Sequence, residues 1–376
     1  MIKNLILVLF VSFQLLYSVD TISIIATANV HGETDPCGWK KKPLGGLARK
    51  ATILEQYNNE NNFYVVDAGN LFFKSESLED GIPREVALIN ADIILDSFNE
   101  IGCTAFSPGS KDFAAGKDFI LSSAKTASFP FISCNIFDSD RKLLFDPYVI
   151  NNQNGIRVAF IGLTSIFESD GLVVEDPITS LKGILNEIIP ISDIRVLLFS
   201  SNDLDMKQLK ASNPELTMII RSRNKQRSSD GGDEIPTYTL GDKGKILYKF
   251  DIEISDTSLE FVDIAWCDRT IKDSNTRLDK MKKGDMLVDL RQLFKENPSA
   301  LKRVLLYESR IEKANQRLEN AINKILIDKI ELGRDVNGDV SVLQIVDRGK
   351  LKIKEISPSQ FDLNIHDHDS DGYPDH

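Results

Sequence analysis

The sequence predicts a layered α/β domain whose mostly parallel central sheets are closed by antiparallel strands and followed by a helical carboxy-terminal region. Two observations carry this. Short runs rich in Val, Ile and Phe alternate with stretches of helical periodicity through the first part of the chain. Beyond about residue 236 the texture changes to β-type alternation and then to apolar residues recurring every seven positions.

The apolar runs fall at residues 21–28, 63–67, 103–107, 129–135, 157–163, 195–199 and 216–220, and they read as strands buried on both faces. Between them, Leu47, Ile53, Leu54 and Tyr57 give one helical face, and Val86, Ile89, Ile93, Ile94 and Phe98 give another. Strand–helix–strand order implies parallel strands, with the ligand site at their carboxyl ends. Residues 237–240, 246–254 and 259–266 read as antiparallel strands, with a turn at 255–258, so the domain, from residue 19, is expected to close near 270. Val304, Ile311, Leu318 and Ile325 then form a heptad stripe, widened by Leu301, Leu305, Ala314, Ala321 and Ile322. Met281, Leu287, Leu290, Leu293 and Phe294 suggest a partner helix ending near Asn297 and Pro298. A helical hairpin is expected over 271–332 and a small β or irregular region over 333–365. The alternative, a coiled coil joining copies of the chain, makes the expected state a monomer or a weak dimer.

The 376 residues, 42% hydrophobic and 27% charged, describe a folded globular chain rather than a disordered one. A formal net charge of -11 argues against a general attraction to nucleic acid or anionic membrane, because a phosphate-tracking surface needs excess Lys and Arg. Lys3, an apolar run from Leu5 to Tyr17 and the small residue Ser18 read as a signal peptide over 1–18, with an uncleaved anchor as the alternative. An exported chain, periplasmic or extracellular, without membrane insertion after cleavage is therefore expected. Its four cysteines, Cys37, Cys103, Cys134 and Cys267, permit at most two disulfides in three complete connectivities. Cys103 and Cys267 stand in or beside apolar runs and read as small buried hydrophobes.

The loops carry a resemblance. In order come TANVHG after the first strand, PLGGLARKATIL opening the next helix, VVDAGNLF, LDSFNEIGCTAFSPGSKDFAAG and VAFIGLTS. This series resembles the amino-terminal domain of the 5'-nucleotidase family of calcineurin-like metallophosphoesterases over roughly residues 20–270. No counterpart of that family's carboxy-terminal domain is visible. The resemblance implies a pair of divalent metals held by carboxylates and imidazoles, with a bridging hydroxide attacking phosphorus. The ligand places it implies hold Asn29 and His31 in the first motif, Asn70 in the second, Ser110 in the third, Ser201 at a later strand end, and Arg223 and Lys225 in the last. Lys111 and Ala114 occupy the places of the catalytic His and the Asp that orients it. Of these, His31 alone keeps a family-type ligand.

A count supports that depletion without any alignment. Of four histidines, His366, His368 and His376 belong to the final residues, so the α/β domain contains His31 alone. Asn in place of the anionic ligands, with Lys111, Arg223 and Lys225 adding positive charge, makes a dinuclear metal centre electrostatically unfavourable. His31 then reads more simply as a half-buried histidine beside a turn, and the cations as a cradle for a small anion, as solubilising surface or as partners of Asp112. The segment DPCGWKKKPLGGLARK places Cys37 beside the cleft, similar to a divergent branch of the family with a Pro-Cys-Gly loop. In that branch a second thiol follows at the place of Trp39, and its absence weighs against a thiolate site. Cys37 could instead pair with Cys134 across the strands' carboxyl edge or stay free.

A separate motif closes the chain. Asp367, Asp369, Asp371, Gly372 and Asp375 form D-x-D-x-D-G-x-x-D within 366–376, an arrangement in which alternating carboxylates converge on a hard cation. It resembles the calcium loops of thrombospondin type 3 repeats, without the bidentate Glu of an EF-hand. Calcium binding of roughly millimolar affinity is expected there. The alternatives are a solvated acidic tail or, through the neighbouring histidines, a transition-metal site.

Three function classes follow. The depleted ligand set favours a non-catalytic binding or scaffold protein with an unidentified small anion or protein partner. The retained fold motifs favour a phosphoester hydrolase with a non-standard site. The cysteine loop favours a thiol-dependent protein centred on Cys37.

Overall fold

A computed structural model describes residues 19–39, 41–58, 63–222 and 235–358. The signal-peptide segment, Arg223 and Lys225, and the Asp367–Asp375 motif with its histidines lie outside the described residues.

The first half of the chain builds β1 (Asp20–Thr27), the short hairpin β2 (Pro36–Cys37) and β3 (Leu44–Gly45), α1 (Leu47–Asn58), β4 (Phe63–Asp67), α2 (Arg84–Ile101), β5 (Ala105–Phe106) and α3 (Lys117–Thr126). There follow β6 (Ile136–Asp138), β7 (Tyr148–Gln153), β8 (Ile156–Thr164), β9 (Leu172–Val174), α4 (Pro177–Ile188), β10 (Ile194–Ser200), α5 (Asp203–Ser212) and β11 (Met218–Ser222). The remainder is β12 (Thr237–Thr239), β13 (Ile246–Ile254), β14 (Phe261–Asp263), α6 (Ile264–Lys282), α7 (Leu290–Leu293), α8 (Pro298–Glu319), β15 (Asn323–Glu331) and α9 (Val340–Ile356).

Two sheets stack in the middle. One runs β14-β15-β13-β1-β4-β5 and the other β12-β11-β10-β8-β7. In the first, β1, β4 and β5 are parallel and β13 is antiparallel to β1; in the second, β8, β10, β11 and β12 are parallel. Strand period-2 geometry sorts the apolar residues. Ile22, Ile24 and Ala26 face Val158, Phe160, Val196 and Leu198 in the core between the sheets. Ile25 turns the other way onto Ile53 and Leu54 of α1, and Ile161, Leu197 and Phe199 turn outward onto Leu181 and Leu185 of α4. Both faces of the central strands are therefore covered, which is why they read as continuous apolar runs.

Four sequence expectations are corrected. Residues 129–135 form isolated bridges at Phe131 and Ile132 instead of a strand. Residues 259–266 give only β14 before α6 begins at Ile264 with Asp263 as its N-cap, its carboxylate accepting from the Trp266 amide at 2.8 Å. The first sheet does not close near residue 270: β15, inside the stretch read as hairpin, pairs antiparallel with β13 and parallel with β14. Within 333–365 the structure has α9, capped by Asp339 and packed through Val342, Val346 and Ile353 against the core under α2. A Cβ on Gly349 would meet Ile93 Cγ1 at 2.1 Å, so α9 and α2 are in direct contact there and a larger residue would have to displace Ile93. The four thiols are free; Cys37 does not pair with Cys134, which packs instead with Ile161 and Leu163 on the second sheet. No described helix is long and apolar enough to cross a membrane.

A polar relay is sealed beneath the first sheet. Lys50 Nζ donates to Thr27 Oγ1 at 3.0 Å, and that hydroxyl donates to Asp67 Oδ2 at 2.7 Å. Lys50 and Asp67 are buried, and the ammonium lies 3.8 Å from the centre of the Phe98 ring. Burial pushes the Asp67 carboxyl up to about 7, against the charge of Lys50 and the hydrogen bonds from Thr27 and Gly69. A carboxyl raised in this sense holds its proton in the folded state after the unfolded chain has released it. Its contribution to stability is present below the ordinary Asp range and is lost as pH rises toward about 7. Urea unfolding from pH 4.5 to 7.5 should show this decline in the natural protein and a shallower one in Asp67→Asn; parallel profiles would assign the slope to other groups.

Candidate functional site

The loops leaving the carboxyl ends of β1, β4, β5 and β10 converge. Those after β1 and β4 are laddered together by Asn29 N donating to Gly69 O at 2.9 Å, His31 N to Asn70 O at 3.0 Å and Gly32 N to Leu71 O at 3.0 Å. Asn29, His31 and Asn70 adopt φ of 55°, 58° and 59°, a left-handed conformation that Asn and His tolerate better than branched residues. A Cβ on Gly109 would stand 2.6 Å from Asn70 Oδ1 and 2.5 Å from Ser200 Oγ, so the chain after β5 passes within contact of both neighbouring loops.

One carboxylate fastens this arrangement. Asp112 Oδ1 accepts from Leu71 N at 2.7 Å and Phe72 N at 2.9 Å, while Oδ2 accepts from Asn70 N and Gly109 N, both at 2.8 Å. Burial raises the Asp112 carboxyl, and these hydrogen bonds oppose the rise by favouring its ionised form.

Asn70 Nδ2 donates to Asn29 Oδ1 at 3.0 Å, so the amides at the aligned ligand places bond to each other. His31 Nε2 meets Asp242 Oδ1 at 3.2 Å, and His31 Nδ1 is buried without a hydrogen-bond partner. Burial pushes the Asp242 carboxyl up, but the His31 hydrogen bond and the charges of His31, Lys243 and Lys245 outweigh it and hold the group below its ordinary range. Lys111 is half-buried nearby; burial lowers its ammonium and the charges of Asp242, Glu76 and Asp112 work the other way. Ser110 turns aside, donating from Oγ to Glu76 Oε1 at 2.8 Å.

At the end of β10 the cation is one that sequence reasoning missed. Arg221, buried in β11, donates from Nε to Ser201 Oγ at 2.6 Å, and from Nη2 to Ser201 O at 3.1 Å and Asp203 Oδ1 at 2.9 Å. Its guanidinium therefore lies against the place aligned with a strand-end imidazole. Among the described residues, no group of three or more His, Cys, Asp or Glu is gathered that could hold a metal ion.

The chain has the calcineurin-like metallophosphoesterase fold of the 5'-nucleotidase type. It is similar to the 5'-nucleotidase of Vibrio parahaemolyticus, 25% identical over 218 residues that cover 57% of this chain and 35% of that one. The chain thus spans about a third of that relative's length. Among solved structures, the calcineurin-like phosphoesterase YfkN of Bacillus subtilis matches with TM-score 0.52 and 19% identity, covering 64% of this chain and 86% of that one. A 5'-nucleotidase precursor from Thermus thermophilus matches with TM-score 0.53 and 18% identity, covering 64% and 52% respectively. No family model matches the chain.

On this metallophosphoesterase-type scaffold, Asn29, Asn70, His31 and Lys111 come together at the carboxyl ends of the first sheet's strands, and Ser201 joins them from the second. Cys37 sits in the β2–β3 hairpin, lining a cavity that also reaches His31. Burial pushes its thiol up, Glu33 adds to the rise, and Lys245 and Lys243 oppose it, so the nucleophilic thiolate is disfavoured.

Asp112→Asn tests what fastens the loops. The amide replaces an acceptor oxygen by a donor that faces backbone N–H groups, so unfolding should become easier by about 3 kcal/mol or more in chemical denaturation. A loss under about 1 kcal/mol would show that the loops hold without this carboxylate.

Proposed function

We propose that this chain is a non-hydrolytic binding protein built on a metallophosphoesterase scaffold. The observation that carries the reading is the pairing of Asn70 with Asn29 where the resemblance implies anionic ligands. Lys111 and the buried Arg221 add positive charge close by. These residues do not fit a pair of divalent cations: amides bonded to one another offer no charge, and a guanidinium and an ammonium repel a metal ion. Without metal-bound hydroxide or an imidazole acid, the barrier to phosphoester cleavage is hardly lowered. Purified protein supplied with manganese, cobalt, zinc or calcium should leave AMP, UDP-glucose and p-nitrophenyl phosphate intact at the rate of the blank. Metal-dependent turnover that disappears in His31→Ala would overturn the proposal in favour of a hydrolase with a non-standard site.

In the same reading the protein works outside the cytoplasm, as its amino-terminal apolar run suggests, and carries a calcium loop at Asp367, Asp369, Asp371 and Asp375. Calorimetric titration of the full chain should give one calcium per chain, with magnesium a poor competitor. Deletion of residues 366–376 should abolish the signal. Equal binding by both forms would put the site elsewhere, and none by either would leave the motif an acidic tail.

A further inference from the structure

Beside the degenerate cleft lies a cavity of about 740 Å³, bounded by the Cys37 hairpin, α2 and α9, within the range of roughly 300–1,000 Å³ that small-molecule sites occupy. One wall is apolar: Phe72, Phe73, Ile82, Val86, Ala87 and Ile353 line it. Most charges on the other wall neutralise one another. Lys350 pairs with Asp35 at 2.5 Å, Lys243 with Glu33 at 3.7 Å and Lys74 with Glu79 at 3.8 Å. Asn90 is committed as well, its amide donating to Gly32 O at 2.8 Å.

Arg49 is the exception. It lines the same cavity, and its Nη1 donates only to main-chain carbonyls, Pro43 O at 3.0 Å and Leu332 O at 3.1 Å. No carboxylate among the described residues forms an ion pair with it. Carbonyl dipoles fix the guanidinium in place without cancelling its charge, and a planar fork held in this way is suited to a carboxylate. An apolar wall facing one unbalanced, oriented cation defines an amphipathic anion.

We propose that this cavity binds a small organic monocarboxylate, with its apolar body against Phe72, Phe73 and Val86 and its carboxylate on Arg49. The site adjoins the cleft, sharing His31 with the aligned ligand places, and it stands whether or not the cleft hydrolyses phosphoesters.

The experiment titrates the full chain calorimetrically with decanoate, decanol and decyltrimethylammonium, all below their aggregation thresholds. Decanoate should bind once per chain, with decanol weaker by about tenfold or more and the ammonium weaker still, since the charge-assisted contact is worth more than about 1.4 kcal/mol. Arg49→Gln should erase the preference for decanoate over decanol, and Ala87→Trp should abolish binding of both. Far-UV circular dichroism and urea unfolding check that each variant is folded; should Ala87→Trp not fold, Ile82→Trp fills the same wall. Equal affinity for the ammonium and the carboxylate, unchanged decanoate binding in a folded cavity-filling variant, or no binding of decanoate at all would each overturn the proposal.

Discussion

The loops at the carboxyl edge of the first sheet depend on one buried carboxylate. Asp112 comes from the loop after β5, yet most of its hydrogen bonds go to the loop after β4, at Asn70, Leu71 and Phe72. Without it those amides would be buried and unsatisfied, each at a cost of about 1–3 kcal/mol. With it, residues 70–72 are held where their carbonyls can pair with the loop after β1, through His31 N and Gly32 N. The shape of the cleft therefore follows from a structural side chain rather than from any group that faces a ligand.

The Lys50–Thr27–Asp67 relay does a related service one layer down. Asp67 ends β4 and accepts from Gly69 N at 2.9 Å, setting the turn from which Asn70 emerges, while Thr27 ends β1 just before Asn29. The relay thus joins the strand ends whose loops Asp112 then fastens. A buried ammonium and carboxyl bridged by a hydroxyl are weak evidence of net stability.

Much of this was legible in the sequence, and what was not has physical reasons. Strand β13 alternates cleanly because one face packs in the core between the sheets, so its limits could be read directly. Residues 129–135 looked equally strand-like, yet Pro130 lacks an amide proton for a ladder, and Phe129 and Phe131 are apolar to fill an aromatic cluster with Phe106 and Phe145. In β15 the heptad count ran on from Leu318 through Ile325, but Ile325 and Ile327 belong to a period of two on the face toward the core. Helix α9 went unread since Gly349 interrupts its periodic face, although Val342, Val346 and Ile353 keep helical spacing. In the site, Asn29, Asn70 and Lys111 were found by position. Lys50 could have been found too, standing on the apolar face of α1 between Leu47 and Leu54.

Arg221 shows what position alone misses. The guanidinium that reaches Ser201 comes from Arg221, inside β11, and is fixed by Asp203 and by the Ser201 hydroxyl and carbonyl, while Arg223 and Lys225 lie outside the described residues. A buried guanidinium with several acceptors is a permanent, oriented positive charge that no change of pH removes. A divalent cation supplies charge too, but only while bound, and it leaves open coordination positions for water and substrate. An arginine whose donors are spent on the protein leaves none. At this strand end Arg221, Ser201 and Asp203 therefore satisfy one another inside the protein.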